Sequence, residues 1–317
     1  MVLPPGSPRW ASLREAARAR GASVRLVPWT ALAAGDHAGL RDADLVKLDS
    51  PGRCEETRRA LVGAGADDPR GFAAGLQRVL AALPADVPWS TPPDAVWAMV
   101  DKPTTAARLQ AAGIRCPQGF AAELEIDGGL WARGWDPVYV KLRTGSCADA
   151  IVFLQGDTGL STVVPDGDGV RSVSPMAPLR AEALGHVLRW LLSQRTWVER
   201  AVPSVRLGFD RVDLRVVVID GAARFTVARQ SAQPVTNLTA GGRRADPDRV
   251  RALLGPRAWR DAHDVAVAAA AVFGARSVGV DVVVDPAGEP HVLELNPFGD
   301  WFPGLPIHAA QLEAWLR

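Results

Sequence analysis

The residues best suited to chemistry lie near the C-terminal end, in the run 279–300. Segments 278–284 and 291–295 are mostly β-branched or apolar, and Asp285, Pro286, Gly288 and Pro290 between them are turn formers. The pattern predicts a β-hairpin. If Val284 pairs with His291, Asp281 stands directly opposite Glu294, and Asn296 shares the face of Glu294. Carboxylates opposite each other repel unless a positive charge lies between them. Two carboxylates and an amide oxygen converging on one point form an all-oxygen site, suited to Mg²⁺ holding a nucleotide's phosphates. In this register Val280, Val282, Val284, Leu293 and Leu295 form an apolar opposite face, and Val283 and Val292 flank the acids. A hairpin apolar on both faces belongs to a core rather than to solvent.

Cations that could meet such phosphates are easy to find, because the chain has only three lysines, Lys47, Lys102 and Lys141. Lys102 follows Asp101, a good helix cap, in a segment with Pro103 in the first turn and Gly113 at the end. A cation at a helix N-terminus is unfavourable with the dipole, unless an anion meets it there. Lys141 lies inside the apolar strand 138–142, where it must find a partner or reach for water. The small polar loop 143–150 follows, then strand 151–154, an arrangement that can fold backbone N–H groups over phosphates. Cys147 in that loop reads as a small packed thiol rather than a nucleophile.

Further acids and arginines fall in 204–242. Two strands joined by the turn Asp220-Gly221 carry Asp213 and Arg215 on one face and Arg229 at the end of the second strand. These side chains can pair structurally or face a transferring phosphoryl group.

The elements that must position these groups follow from the patterning. Residues 1–97 read as a small α/β lobe with strands at 23–27 and 43–48 and helices at 8–20, 55–62 and 72–83. That alternation suggests a parallel sheet, without the glycine-rich loop of a dinucleotide site. Helices are expected at 177–192 and as one or two pieces over 247–273, and a strand at 196–202. Residues 311–316 are too short to assign.

Composition bounds the function. A 317-residue chain suggests two or three lobes, and 48% hydrophobic with 22% charged residues is an ordinary globular balance. A net charge of +1 gives no basis for a nucleic-acid or anionic-membrane partner. Three widely spaced cysteines fit reduced thiols and a cytoplasmic location. Neither a signal peptide nor a membrane span is expected.

The ordered set Lys102, Lys141 with its small loop, Glu199, Asp213-x-Arg215, Arg229, Asn237-Leu-x-x-Gly-Gly242, Asp281 and Glu294-x-Asn296-Pro297 resembles the ATP-grasp superfamily, closest to RimK-type carboxylate–amine ligases. The resemblance covers roughly 95–317. It implies an α/β ATP-grasp fold in which two lobes clasp ATP, preceded by a small Rossmann-like lobe. The corresponding domains are 1–97, 98–196 and 197–317. It implies that Lys102, Lys141 and Ser146 contact nucleotide phosphates and that Glu199, Arg200 and Ala201 form the hinge strand that meets adenine. Asp213 then matches a ribose contact, and Arg215, Arg229 and Asn237 match catalytic positions. Asp281, Glu294 and Asn296 match the ligands of Mg²⁺, or of Mn²⁺ in its place. The implied chemistry is activation of a small-molecule or peptide carboxylate by ATP as an acylphosphate, which an amine then attacks. A kinase-like phosphotransferase and a non-catalytic nucleotide-binding scaffold are the alternatives, and a homodimer is an assembly the resemblance allows. Two departures stand out. The loop 145–150 has one glycine, and Val235 stands where RimK-type ligases carry an Arg two residues before the Asn.

Overall fold

The structure is a computed structural model that describes residues 1–3, 7–52, 54–65, 68–122, 134–145, 148–299 and 301–316. Ser146 and Cys147 lie outside the described residues.

The first lobe holds β1 (Val2–Leu3), α1 (Pro8–Arg18), β2 (Val27–Pro28), α2 (Trp29–Ala33), α3 (Glu55–Val62) and α4 (Pro69–Ala82). Trp29, Leu32, Leu61, Leu76 and Leu80 form its core. β1 and β2 pair in parallel, but the strand expected at 43–48 contracts to bridge residues at Val46, which pairs in parallel with Trp89, and at Leu48. The strand expected at 23–27 likewise shrinks to Val27–Pro28. Proline cannot donate to a ladder, and Pro28 closes this one at once.

Two helices follow, α5 (Pro93–Val100) and α6 (Lys102–Ala111). Asp101 caps α6 by accepting from Thr104 N at 3.3 Å. Next come β3 (Gly119–Ala122), β4 (Val138–Leu142), β5 (Ile151–Gln155), β6 (Thr158–Asp166), β7 (Gly169–Leu179), α7 (Ala181–Ser193) and β8 (Thr196–Arg200). Among the described residues these strands form an antiparallel sheet in the order β3-β8-β4-β5-β6-β7. Leu184, Val187, Leu188 and Leu191 of α7 pack on Val140, Val152, Leu154 and Val198. The helix expected over 177–192 is thus corrected at its start. Ala177 pairs with Ser161 and Leu179 with Gly159, so the first three residues belong to β7. Long-range pairing overrides local helical patterning there, and Pro178 is tolerated because β7 is an edge strand.

The second sheet is built from β9 (Arg206–Leu207), β10 (Asp210–Ile219), β11 (Ala222–Ser231) and β12 (Arg243–Arg244), then, after α8 (Pro247–Val272), from β13 (Ser277–Val284) and β14 (Pro290–Asn296); α9 (Ile307–Trp315) ends the described chain. Its order is β12-β11-β10-β13-β14, with β9 beside β10. Ala258, Ala262, Ala266 and Ala269 recur at helical spacing on α8, so the helix lies close against Val216, Val218, Val280 and Val282. Gly255 (φ 74°) and Pro256 break α8 into two pieces. Ala95, Met99 and Leu109 of α5 and α6 join this core rather than that of the first sheet.

Hairpin β13–β14 sets Asp281 opposite Glu294 as expected, by a different register at its turn. Val284 pairs with Pro290 and Val283 with His291, and a bulge beyond Val282 restores the 281–294 pairing. The extra residue is Leu293. Inserting one residue exchanges the faces beyond it. Val292 therefore lies fully buried in the α8 core, and Leu293 faces the opposite side with Glu294, the reverse of the expected placement.

Candidate active site

The two sheets face each other across a cleft of about 810 Å³, lined by Lys141, Glu199, Arg200, Asp213, Arg229, Asn237, Asp281 and Glu294 among others. An adjoining recess of about 670 Å³ holds Lys102 and Asn296 and shares Glu199, Leu293 and Glu294 with it. Of the residues selected from the sequence, Arg215 and Ala201 are not on these walls. Arg215 lies beside Asp281, and Ala201 packs with Phe153 and Met176.

Three neighbouring strands hold the central charges. β10 alternates Val212, Leu214 and Val216 toward α8 with Asp213 and Arg215 toward the cleft side. Register places Asp213 beside Arg229 of β11 and Arg215 beside Asp281 of β13. Arg229 binds Asp213 through Nε at 2.8 Å and through Nη2, and its Nη2 also lies 3.0 Å from Asp281 Oδ1. Arg215 donates to Asp281 through Nε and through Nη2, the latter at 2.9 Å, and stands 4.0 Å from Glu294. Opposite charges therefore alternate across the sheet. Asp213, Arg229 and Asp281 are each only 4% exposed, so these pairs are buried. The positive partner of Asp281 is thus supplied at least in part by guanidinium groups.

A divalent cation still fits. A carboxylate has about four acceptor sites; the arginines take three of those on Asp281 and Glu294 lies within hydrogen-bond reach of it, so Glu294 and Asn296 carry most of the donor set for an ion. Burial pushes the Asp281 carboxyl upward, but Arg215 and Arg229 outweigh it and hold it well below the usual range. Glu294 behaves oppositely: burial and then the charge of Asp281 raise it, and Lys102 and Lys141 only partly offset this. Asn296 Nδ2 reaches Glu294 Oε1 at 3.5 Å, so the two side chains share one locale. A carboxylate crowded by a second carboxylate, with an amide beside it, is the donor chemistry of a hard cation site.

The lysines come from two elements, Lys141 from β4 of the first sheet and Lys102 from the start of α6. Lys141 pairs with Glu199, which also accepts from Trp197 Nε1 at 3.1 Å. Lys102 Nζ donates to the Gly145 carbonyl at 2.8 Å. Burial, reinforced by Lys141, lowers the Lys102 ammonium to a pKa of about 8. The start of α6 is tied to the loop after β4, because Asp101 accepts from Arg143 Nη2 at 3.1 Å and Lys102 N donates to Arg143 O at 3.2 Å. At the end of β8 the N–H groups of Arg200 and Ala201 donate to Gln118 O and Pro137 O. Asn237 Oδ1 accepts from Thr239 N and Oγ1, both at 2.9 Å, and so orders the turn beside the cleft.

Apart from Val235, whose position the sequence marks, sequence reasoning missed the contacts that tie segment 233–235 to the first sheet beside the cleft. Tyr139 Oη donates to Pro234 O at 2.9 Å. The Gln233 amide accepts from Met176 N at 2.8 Å and donates to Met176 O at 2.9 Å. Val235 packs against Phe153 and Met176. One signal was available: Tyr139 is the single tyrosine of the chain.

No protein-family model and no curated protein matches the sequence. Solved structures do match in fold. D-cycloserine synthetase DcsG is 21% identical with a TM-score of 0.58, over 99% of this chain and 97% of that one. ATP-grasp ligase PsnB, in a complex with minimal precursor, Mg and ADP, is 19% identical with a TM-score of 0.56, over 99% and 95%. A RimK-domain ATP-grasp protein from Sphaerobacter thermophilus is 16% identical with a TM-score of 0.54, over 100% and 99%. The chain has the ATP-grasp fold, as the resemblance read from its sequence implies.

Proposed function

We propose that the protein is an ATP-dependent ligase that activates a carboxylate and joins it to an amine. The observation that carries this reading is the convergence of Lys141 from the first sheet and Lys102 from the start of α6 on Asp281, Glu294 and Asn296 of the second sheet, in the cleft and its adjoining recess. Support also comes from the similarity in fold to ligases, one of them solved with Mg and ADP and a precursor. In this reading Asp281, Glu294 and Asn296 would hold Mg²⁺, which when bound would supply positive charge against the phosphates. Lys102 and Lys141 bind the phosphate oxygens. The Lys141–Glu199 pair opens in part as the nucleotide arrives. The hinge strand around Glu199 lies along the base, and Asp213 lies on the ribose side. Arg229, fixed by two buried acids, presents a preorganised positive charge to the transferring group, and Arg215 keeps Asp281 ionised. Asn237 borders the acyl end.

The chemistry runs in two steps. A substrate carboxylate oxygen bonds to the γ-phosphorus as the bond to the ADP oxygen breaks. The amine nitrogen then attacks the acyl carbon, loses a proton and releases inorganic phosphate. Closure by Tyr139, Gln233 and Val235 keeps water from the acylphosphate. The apolar setting of Val235 favours an uncharged substrate group at that wall.

Hydroxylamine tests the reading. Incubated with ATP, Mg²⁺ and a panel of amino acids and acidic dipeptides, the protein should form a hydroxamate from at least one of them. ATP consumption with a stable phosphoester and no hydroxamate would instead identify a kinase.

A further inference from the structure

Two of the three lysines reach the cleft walls, and Lys47 does not. Lys47 belongs to the first lobe and is 6% exposed. Its Nζ donates to Asp49 Oδ2 at 3.0 Å and to the Phe298 carbonyl at 2.7 Å, a contact spanning 251 residues. Asp49 is itself fully buried. It takes the Ser50 N–H at 2.7 Å and pairs with Arg9, while its carbonyl accepts from Trp29 Nε1 at 3.0 Å. The ammonium is therefore held rigidly from the first-lobe side, and the Phe298 carbonyl is held by it.

Phe298 follows Asn296 by two residues. The intervening turn is gripped from its other side as well. Gly299 sits at φ 61°, and a Cβ there would stand 2.9 Å from Ser277 Oγ, 3.1 Å from Gln311 Nε2 and 3.5 Å from Lys47 Cε. Ser277 and Gln311 are hydrogen-bonded to each other at 2.7 Å and are also buried. A buried charge pair is a costly way to hold two lobes together, where apolar residues of similar volume serve as well. What it provides is direction: a strong donor aimed at one carbonyl.

We propose that Lys47 is a positioning residue for the metal site. By fixing the Phe298 carbonyl it fixes the turn, and with it the direction in which Asn296 presents its amide beside Glu294. Groups hydrogen-bonded behind metal ligands set metal affinity, and Lys47 acts one step further out, through the backbone two residues beyond Asn296. The inference rests on the assignment of Asp281, Glu294 and Asn296 made above.

Calorimetry of ATP binding in EDTA and along a Mg²⁺ series tests it, with thermal unfolding as the check on folding. Lys47→Met should bind ATP in EDTA as the parent protein does, yet need about tenfold more Mg²⁺ to gain half of the metal-dependent affinity. Lys47→Arg, which keeps a donor for the carbonyl, should recover most of that loss. Gly299→Ala displaces the same turn, its Cβ pressing chiefly on Ser277 and Gln311, and should shift the Mg²⁺ requirement the same way; should Lys47→Met not fold, a folded Gly299→Ala with the parental requirement overturns the proposal. A folded Lys47→Met with the parental Mg²⁺ requirement overturns the proposal, as does an arginine variant no better than the methionine one. Glu294→Gln separates the two readings. If it abolishes Mg²⁺ dependence while Lys47→Met keeps the parental Mg²⁺ requirement, only the role of Lys47 falls. If the parent protein itself shows no Mg²⁺ dependence, the metal site falls and the role of Lys47 falls with it.

Discussion

The Arg229–Asp213 pair offers a quantitative test of why charges are buried here. Both side chains are 4% exposed, and Arg229 has a second acid, Asp281, at 3.0 Å. Removing one partner of a buried pair costs about 3–5 kcal/mol, because the other charge is stranded. Asp213→Leu should fall at the low end, about 3 kcal/mol, since Asp281 still faces Arg229. Arg229→Met strands Asp213, for which no other cation is within ion-pair distance among the described residues, and should cost about 4–5 kcal/mol. The double variant Asp213→Leu/Arg229→Met strands neither, and Asp281 keeps Arg215. It should lie within about 1 kcal/mol of the parent protein. Urea unfolding by linear extrapolation reads these differences. Nucleotide-dependent phosphate release should be lost in all three variants, so the stable double variant would separate function from folding. Single variants costing under about 1 kcal/mol, or a double variant as unstable as Arg229→Met, would refute the reasoning.

Three further outcomes follow from particular contacts. Lys102 has a pKa near 8 without ligand, so ATP affinity should fall as pH rises through that value, and calorimetry between pH 7 and 9.5 on the parent protein and Lys102→Met should show the pH dependence only in the parent. His308 is buried against Ser12, with its pKa lowered to about 3 by burial and by Lys47. Its folded-state pKa lies below the unfolded value of about 6.5, so its contribution to stability is complete above that pH and is lost as pH falls toward 3; His308→Gln should flatten the acid limb of a melting-temperature profile. Gly75 in α4 lies against the backbone of α3, where a Cβ would overlap the Leu61 carbonyl oxygen, so Gly75→Ala should destabilise the first lobe by about 1–3 kcal/mol in urea unfolding.

Much of the second sheet was legible in the sequence, for physical reasons. Asp220-Gly221 fixes a tight hairpin, and the apolar alternation of β10 and β13 fixes which faces meet α8. Asp281 opposite Glu294 was legible because turn formers bracket a short loop. The bulge at Leu293 was not, since nothing local marks where a ladder accommodates an extra residue. Hairpin β6–β7 joins strands adjacent in sequence, but it escaped notice because its edge strand carries Pro175 and Pro178, which interrupt the strand pattern. The first lobe was the least legible. Its short strand signals at 23–27 and 43–48 dissolve into helix packing around Trp29 and Leu61. Among the candidate site residues, types and order were readable, and mutual pairing was not. That Arg215 and Arg229 both turn to Asp281 depends on the register between three strands, which sequence spacing leaves open. Tyr139 and Gln233 reach across the cleft to segments far from them in sequence.

The most direct measurement is calorimetric titration of the parent protein with ATP, in Mg²⁺ and in EDTA, repeated on Glu294→Gln. The site described here predicts binding that Mg²⁺ strengthens in the parent protein and a loss of that strengthening in the variant. Absence of binding at millimolar ATP, or equal Mg²⁺ dependence in both proteins, would contradict a nucleotide–metal site built on Asp281, Glu294 and Asn296.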